Sequence, residues 1–170
     1  MKNILLIIAL FIGTTLGASA QKVAVIDINA VLSDMPAYQK AQEDLDKVAA
    51  EWRQEVAQQY DNIKSLYNKY QAEQVLLSDD VKKQREEEIM GKEKDVRALQ
   101  KGKFGPEGEL FLMRRELVNP IQEKVYNAIE QYALESNYDL ILDKAGAAGV
   151  LFVSEEYDKT DLIRRRLSIR

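Results

Sequence analysis

From Pro36 to about Leu76 the apolar positions fall at Ala41, Leu45, Val48, Trp52, Val56, Tyr60, Ile63, Tyr67 and Tyr70. Steps of three and four residues put these side chains on one stripe of an α-helix. The run contains no glycine and no proline after Pro36, and is filled with strong helix formers. Pro36 suits the first helical position, where its missing N–H costs nothing. At 1.5 Å per residue the helix would be roughly 60 Å long, more than a compact domain of this size can span. Between Val48 and Tyr60 the steps are all of four, which leans toward an eleven-residue repeat and a straight or slightly right-handed coil. The stripe predicts packing against one partner helix.

That partner follows directly. Leu76-Leu77-Ser78-Asp79-Asp80 breaks the run. Ser78 is a good N-cap, and Asp79 and Asp80 suit the positive end of a new helix. A second helix from Asp79 to about Lys101 is highly charged, with sparse apolar marks at Val81, Ile89, Val96 and Leu99. The two helices predict an exposed antiparallel hairpin with little core at its far end. The stretch "KGKFGPEGELF", 101–111, then either turns the chain again, giving a three-helix bundle, or bends the rod. A third helical run starts near Pro106 or Glu107 and continues to about Asn137. Its stripe is Leu110, Met113, Leu117, Ile121, Val125, Ala128 and Tyr132. Return pieces of roughly 35 and 45 Å together exceed the outward 60 Å, which favours the bend. Within the third run, Pro120 either opens a fresh helix behind Asn119 or kinks a continuous one.

Away from the helices, alternation replaces the helical period. Residues 22–28, "KVAVIDI", predict a strand that is apolar on both faces and so covered on both. A short turn of helix is expected over 29–34. Residues 138–143, "YDLILD", predict a second strand, 144–149 a flexible loop, and Val150–Val153 a third strand. A short amphipathic helix closes the chain, capped by Asp158 or Thr160. Leu162, Ile163 and Leu167 are expected inside, and Arg164, Arg165 and Arg166 outside. The fold class is α+β: a long antiparallel helical hairpin, or coiled-coil arm (36–137), on a small β body (22–35 and 138–170), all in one domain, 21–170. Three short strands with apolar residues on both faces cannot hide themselves, and they leave open edges. A β body formed by oligomerisation resolves both problems. Val23, Val25, Ile26, Leu140, Ile141, Leu142, Val150, Leu151 and Phe152 are the expected contacts.

Composition narrows the function. Lys2, the apolar run Ile4–Leu16 and the small-x-small Ala18-Ser19-Ala20 predict a signal peptide over 1–20, with the mature chain starting at Gln21. The apolar run falls short of the ~20 residues of a comfortable span. The expected location is therefore the periplasm, with nothing embedded in the membrane after cleavage. Cysteine and histidine are both 0. Disulfides, thiolate and imidazole metal sites and the commonest general base are excluded, and no cofactor is expected. The formal net charge is −4. Without Lys2 the mature chain is one unit more acidic, which speaks against nucleic acid as a partner. No nucleophile elbow, S-x-x-K motif or phosphate loop is present, so the chain is not expected to be an enzyme. Asp27, Asp139 and Asp143 sit at strand positions; turn capping or pairing with the C-terminal arginines accounts for them.

The stretches "KVAVIDINAVLSDMPAYQKAQEDLD", "FGPEGELF", "PIQEKVYNAIEQYA" and "NYDLILDKAGAAGVLFV" together resemble the Skp/OmpH family of periplasmic chaperones. The "FGPEG" insertion resembles the branch found in Bacteroidetes-like bacteria. The resemblance implies a homotrimer whose strands build a central β body and whose arms enclose a cavity. It implies a holdase that keeps unfolded outer-membrane β-barrel proteins soluble during outer membrane protein assembly. Trp52, Tyr60, Tyr67, Tyr70, Ile89 and Met90 are the candidate client contacts, each with the alternative that it seals the seam between the arm helices. Gly102, Gly105, Pro106 and Gly108 are candidate hinge residues, or else form a fixed kink. A non-catalytic coiled-coil spacer of the cell envelope is the alternative function. The chain departs from the well-known basic members in being acidic, so no lipopolysaccharide site is carried over.

Overall fold

In the computed structural model, residues 21–146 and 150–169 are described. The expected signal segment, 1–20, and the end of the expected loop, 147–149, lie outside the described residues. The chain forms two compact units. One holds the segment ending at Val31 and everything from Val125 onward; the other is Leu32–Lys124.

The second unit is helical. After the short helix α1 (Ile28–Ser33), which crosses the unit boundary, helix α2 spans Pro36–Glu73 with proline in its first turn. Its 38 residues make it roughly 57 Å long. A 3₁₀ turn, Gln74–Leu76, ends it. Helix α3, Asp79–Phe104, starts behind Ser78. Ser78 occupies the N-cap position with extended backbone, but its side chain makes no capping bond; its carbonyl accepts from Lys82 N–H at 2.9 Å. Helix α4 then runs unbroken from Glu109 to Ser136, with Pro120 inside it, and its residues from Val125 on belong to the first unit. The fresh-helix alternative at Asn119 is not realised.

The helices pair in antiparallel order. Val56 and Ile63 of α2 are buried with Ile89 and Val96 of α3, and Leu66, Tyr70, Leu99 and Phe104 pack against them. Tyr70 bonds to Glu86, Tyr60 to Gln100, and Trp52 meets Phe104. As the position on α2 falls, its partner on α3 rises. Nearer the start of α2, Ala41 and Leu45 are buried with Val118 of α4, flanked by Tyr38, Leu110, Met113, Leu117 and Ile121. Thus α3 and α4 lie end to end along one helix: the connection at 105–108 bends the return path and does not turn it.

Among the described residues the first unit contains two strands, β1 (Val23–Ile26) and β2 (Leu140–Asp143). They pair in parallel with Val23 opposite Leu140 and Ile26 opposite Asp143. On its other side β1 meets a single bridge, Val25 to Asp158. There Val25 N–H donates to Tyr157 C=O, and Lys159 N–H donates to Val25 C=O, each at 2.8 Å. Ala24, Val25 and Ile26 are all buried, so both faces of β1 are covered as its sequence requires. Helix α5, Thr160–Arg166, closes the chain.

Two expectations fail here. Val150–Val153 forms no strand. Leu151 is 97% exposed and Phe152 86%, with no ladder partner among the described residues. A strand needs a neighbour to take its N–H and C=O groups, and the single chain offers this segment none. In α5, Ile163 is fully buried but Leu162 lies at the surface, because the helix covers too narrow an arc to bury adjacent positions.

Candidate functional site

The helical pair offers two kinds of apolar side chain. Those on the stripe close the seam. Ile89 is buried there, and Tyr70 packs against the same cluster while its hydroxyl donates to the Glu86 carboxylate. That hydrogen bond raises the Tyr70 pKa. Trp52 is half-buried. Its ring stands edge-on to Phe104, centroids 6.2 Å apart, and Lys103 Nζ lies 4.4 Å from its centroid. These three candidates take up their apolar surface inside the pair.

The others remain in contact with water. Tyr60 is 43% exposed, Tyr67 49% and Met90 66%. Sequence reasoning did not single out Val75 and Leu76, which stand almost bare on the 3₁₀ turn, or Phe111 and Leu112, exposed just past the joint. The 3–4 spacing that finds a stripe gives no weight to residues between stripes or on turns. The helices also carry the ion pairs Lys40–Asp44, Lys82–Asp79, Arg85–Glu88 and Arg97–Glu93. All are exposed, and each contributes little stability.

The joint has a definite geometry. Gly105 N–H donates to Lys101 C=O, Gly108 N–H to Gly105 C=O, and Leu112 N–H to Gly108 C=O. Lys103 Nζ and the Glu109 carboxylate, 2.6 Å apart, bridge the connection. A methyl group on Gly105 would meet Lys101 O, and one on Gly108 would lie 2.8–2.9 Å from three backbone atoms. Glycine is required at both by close approach of the backbone. Gly102 lies within α3 facing open space.

The first unit has its own polar centre. Thr160 is buried. Its hydroxyl donates to Asp158 Oδ1 at 2.6 Å and accepts Asp27 N–H at 2.9 Å. Asp158 Oδ1 also accepts Thr160 N–H, and Asp27 Oδ1 accepts Ala30 N–H at the start of α1. Burial alone would raise the Asp158 pKa; the bonds from Thr160 and the nearby Lys144 outweigh it and hold the carboxyl below its ordinary value. A cleft of about 570 Å³ opens beside this network, lined by Asp27, Lys144, Glu155, Asp158, Asp161 and Arg164 among others. Asp139 Oδ2 accepts Lys22 N–H, and Asp143 Oδ1 accepts from Ile28 and Ala145. These carboxylates cap backbone, as expected of the turn-capping alternative. Among the described residues no cluster of acidic side chains is placed to hold a metal ion.

The OmpH-like outer membrane protein family model matches residues 22–167. The chain belongs to this family. It is a family of non-enzymatic chaperones, and this member is not an enzyme. Among solved structures, the chain is similar to a candidate outer membrane chaperone, OmpH-like, from Caulobacter crescentus CB15. The two share 11% identity over 89% of this chain and 86% of that one, with a TM-score of 0.68. That likeness is one of fold. No curated protein matches the sequence. Among the described residues no helix is long and apolar enough to cross a membrane.

Proposed function

We propose that this protein is a periplasmic holdase. It binds unfolded outer-membrane β-barrel proteins between helical arms and prevents their aggregation. The observation that carries the reading is membership of the OmpH-like family over nearly the whole mature chain. The bare apolar groups on the helical pair support it.

The mechanism is many weak contacts. A barrel strand alternates apolar and polar side chains, and its apolar face is unprotected in water. Tyr60, Tyr67 and Met90 can cover such a face while each contact stays exchangeable; multivalency supplies the avidity. Stepping round α2 from Ile63 and round α3 from Ile89, in antiparallel helices, places these three on the same side of the pair. That side is the proposed client face, with Phe111 continuing it past the joint and Val75 and Leu76 at the turn.

The arms act together only if copies assemble. Val23, Val25, Ile26, Leu140, Ile141, Leu142, Val150, Leu151 and Phe152 are the proposed contacts of a homotrimeric β body. Leu151 and Phe152 are the most exposed of these, and half-exposed Leu140 lies on a strand whose outer edge is unpaired among the described residues. An open edge and a bare apolar segment are complementary needs. The signal peptide over 1–20 delivers the chain to the periplasm.

The test is to dilute a urea-unfolded outer-membrane barrel protein into buffer with and without the purified mature chain, and to follow light scattering. Suppressed scattering at near-stoichiometric amounts is expected. Unchanged scattering would overturn the holdase reading and favour a structural spacer.

A further inference from the structure

The start of the mature chain is held in an unusual way. Lys22 is fixed at every polar handle. Its N–H donates to Asp139 Oδ2 at 2.7 Å, its carbonyl accepts from Asp139 N–H at 2.9 Å, and its Nζ donates to Ser136 C=O at 2.6 Å. The same Nζ lies 4.5 Å from the centroid of the Tyr138 ring. The residue before it, Gln21, is exposed, one position outside this anchorage. Cleavage after Ala20 makes that glutamine the terminal residue.

We propose that Gln21 is a modification site: after export it closes on itself to a pyroglutamyl residue, and the mature chain begins with a neutral lactam. This rests on the export part of the reading above, and not on client binding. A terminal α-amine has an ordinary pKa of about 7.7–8.0, so a useful fraction is unprotonated and nucleophilic near neutrality. Its nitrogen attacks Cδ of the same side chain. The N–Cδ bond forms, the Cδ–Nε2 bond breaks, and the amide nitrogen leaves as ammonia carrying the displaced proton. No oxidant, reductant or second substrate is needed. The five-membered ring lies within one residue, so closure asks nothing of the anchored backbone from Lys22 onward. Exposure of Gln21 leaves room for the ring.

The product suits its surroundings. An open terminus would add a second positive charge one residue before Lys22, and the lactam removes it. It also leaves no free amine for an exopeptidase at the entry to β1, the most deeply buried strand of the unit.

Two chains exported from cells test this: the natural one, and Gln21→Asn, which keeps an amide but would need a strained four-membered ring to cyclise. Intact mass, tandem sequencing of the first peptide and aminopeptidase digestion are the readouts. The natural chain is expected to begin at residue 21, lighter by one ammonia than its open form, and to resist the aminopeptidase. Gln21→Asn should begin at the same residue at full mass and lose residues to the enzyme. A natural chain that begins at Gln21 with a free amine would overturn the ring closure. A chain that begins anywhere else would overturn the cleavage premise, whatever the light-scattering result.

Discussion

Two short apolar runs in this protein look alike and end in opposite places. "VAVI" at 23–26 becomes β1, with three of its four side chains buried. "VLFV" at 150–153 forms no strand, and its Leu151 and Phe152 are among the most exposed apolar residues described. Residue type does not explain the difference, because both runs favour extended backbone. Pairing does. The first run has β2 on one side and the 157–159 segment on the other. The second has no described neighbour on either side. Leu151 and Phe152, left bare by their own chain, are the residues that we propose a second copy covers.

The comparison can be broken from its buried side with the largest effect. Ile26→Asp places a charge where the wild-type residue is fully buried. The expected loss exceeds about 4 kcal/mol, enough to prevent folding of the first unit. Circular dichroism and limited proteolysis would check this. Survival of a cooperative thermal transition would show that β1 is not the core we describe.

Thr160→Val tests the strap that binds the second edge of β1. It removes the acceptor for Asp27 N–H and the donor to Asp158, leaving buried polar groups unmet. A loss of about 1–3 kcal/mol is expected in a urea melt. The same strap is acid-sensitive. Asp158 has a depressed pKa in the folded state, so its contribution is fully present above its ordinary value near 3.8 and is lost as pH falls below that. Asp158→Asn should flatten the stability profile in that window and lower stability at neutral pH, where the contribution of the carboxylate is present in full.

The joint repeats the lesson on a smaller scale, with one residue type in different settings. Gly108→Ala forces a methyl group against three backbone atoms and is expected to cost about 1–3 kcal/mol. It should also shift the emission of Trp52, the chain's one tryptophan, whose ring lies against Lys103 and Phe104. Gly102→Ala, in an open helical position, should stabilise by about 0.5–1 kcal/mol with no change in emission. Identical effects at both positions would contradict the close backbone approach described at Gly108.

These contrasts mark where sequence reasoning succeeds and stops. The seam residues Leu45, Val56, Ile63, Ile89 and Val96 were legible from helical spacing, because a stripe is a local property. The bend at 105–108 was legible from helix lengths. The both-sided burial of β1 followed from its apolar faces. The Thr160–Asp27 bond was not legible: its partners lie 133 residues apart, and no period links them. Nor was the division of Trp52, Tyr60, Tyr67, Tyr70, Ile89 and Met90 into seam and surface, since a side chain at a stripe's margin is decided by its partner's register. The third strand was misread because strand propensity is a request for a partner, and the chain by itself does not grant it.

The most direct test of the account is the molar mass of the purified mature chain, measured by sedimentation at micromolar concentration beside Leu151→Ser/Phe152→Ser. The natural chain is predicted to sediment as a stable assembly of several copies. The double variant should keep its helical content and fall to the mass of one chain. A natural chain that is already a single-copy particle would contradict the claim that Leu151 and Phe152 are covered by another copy.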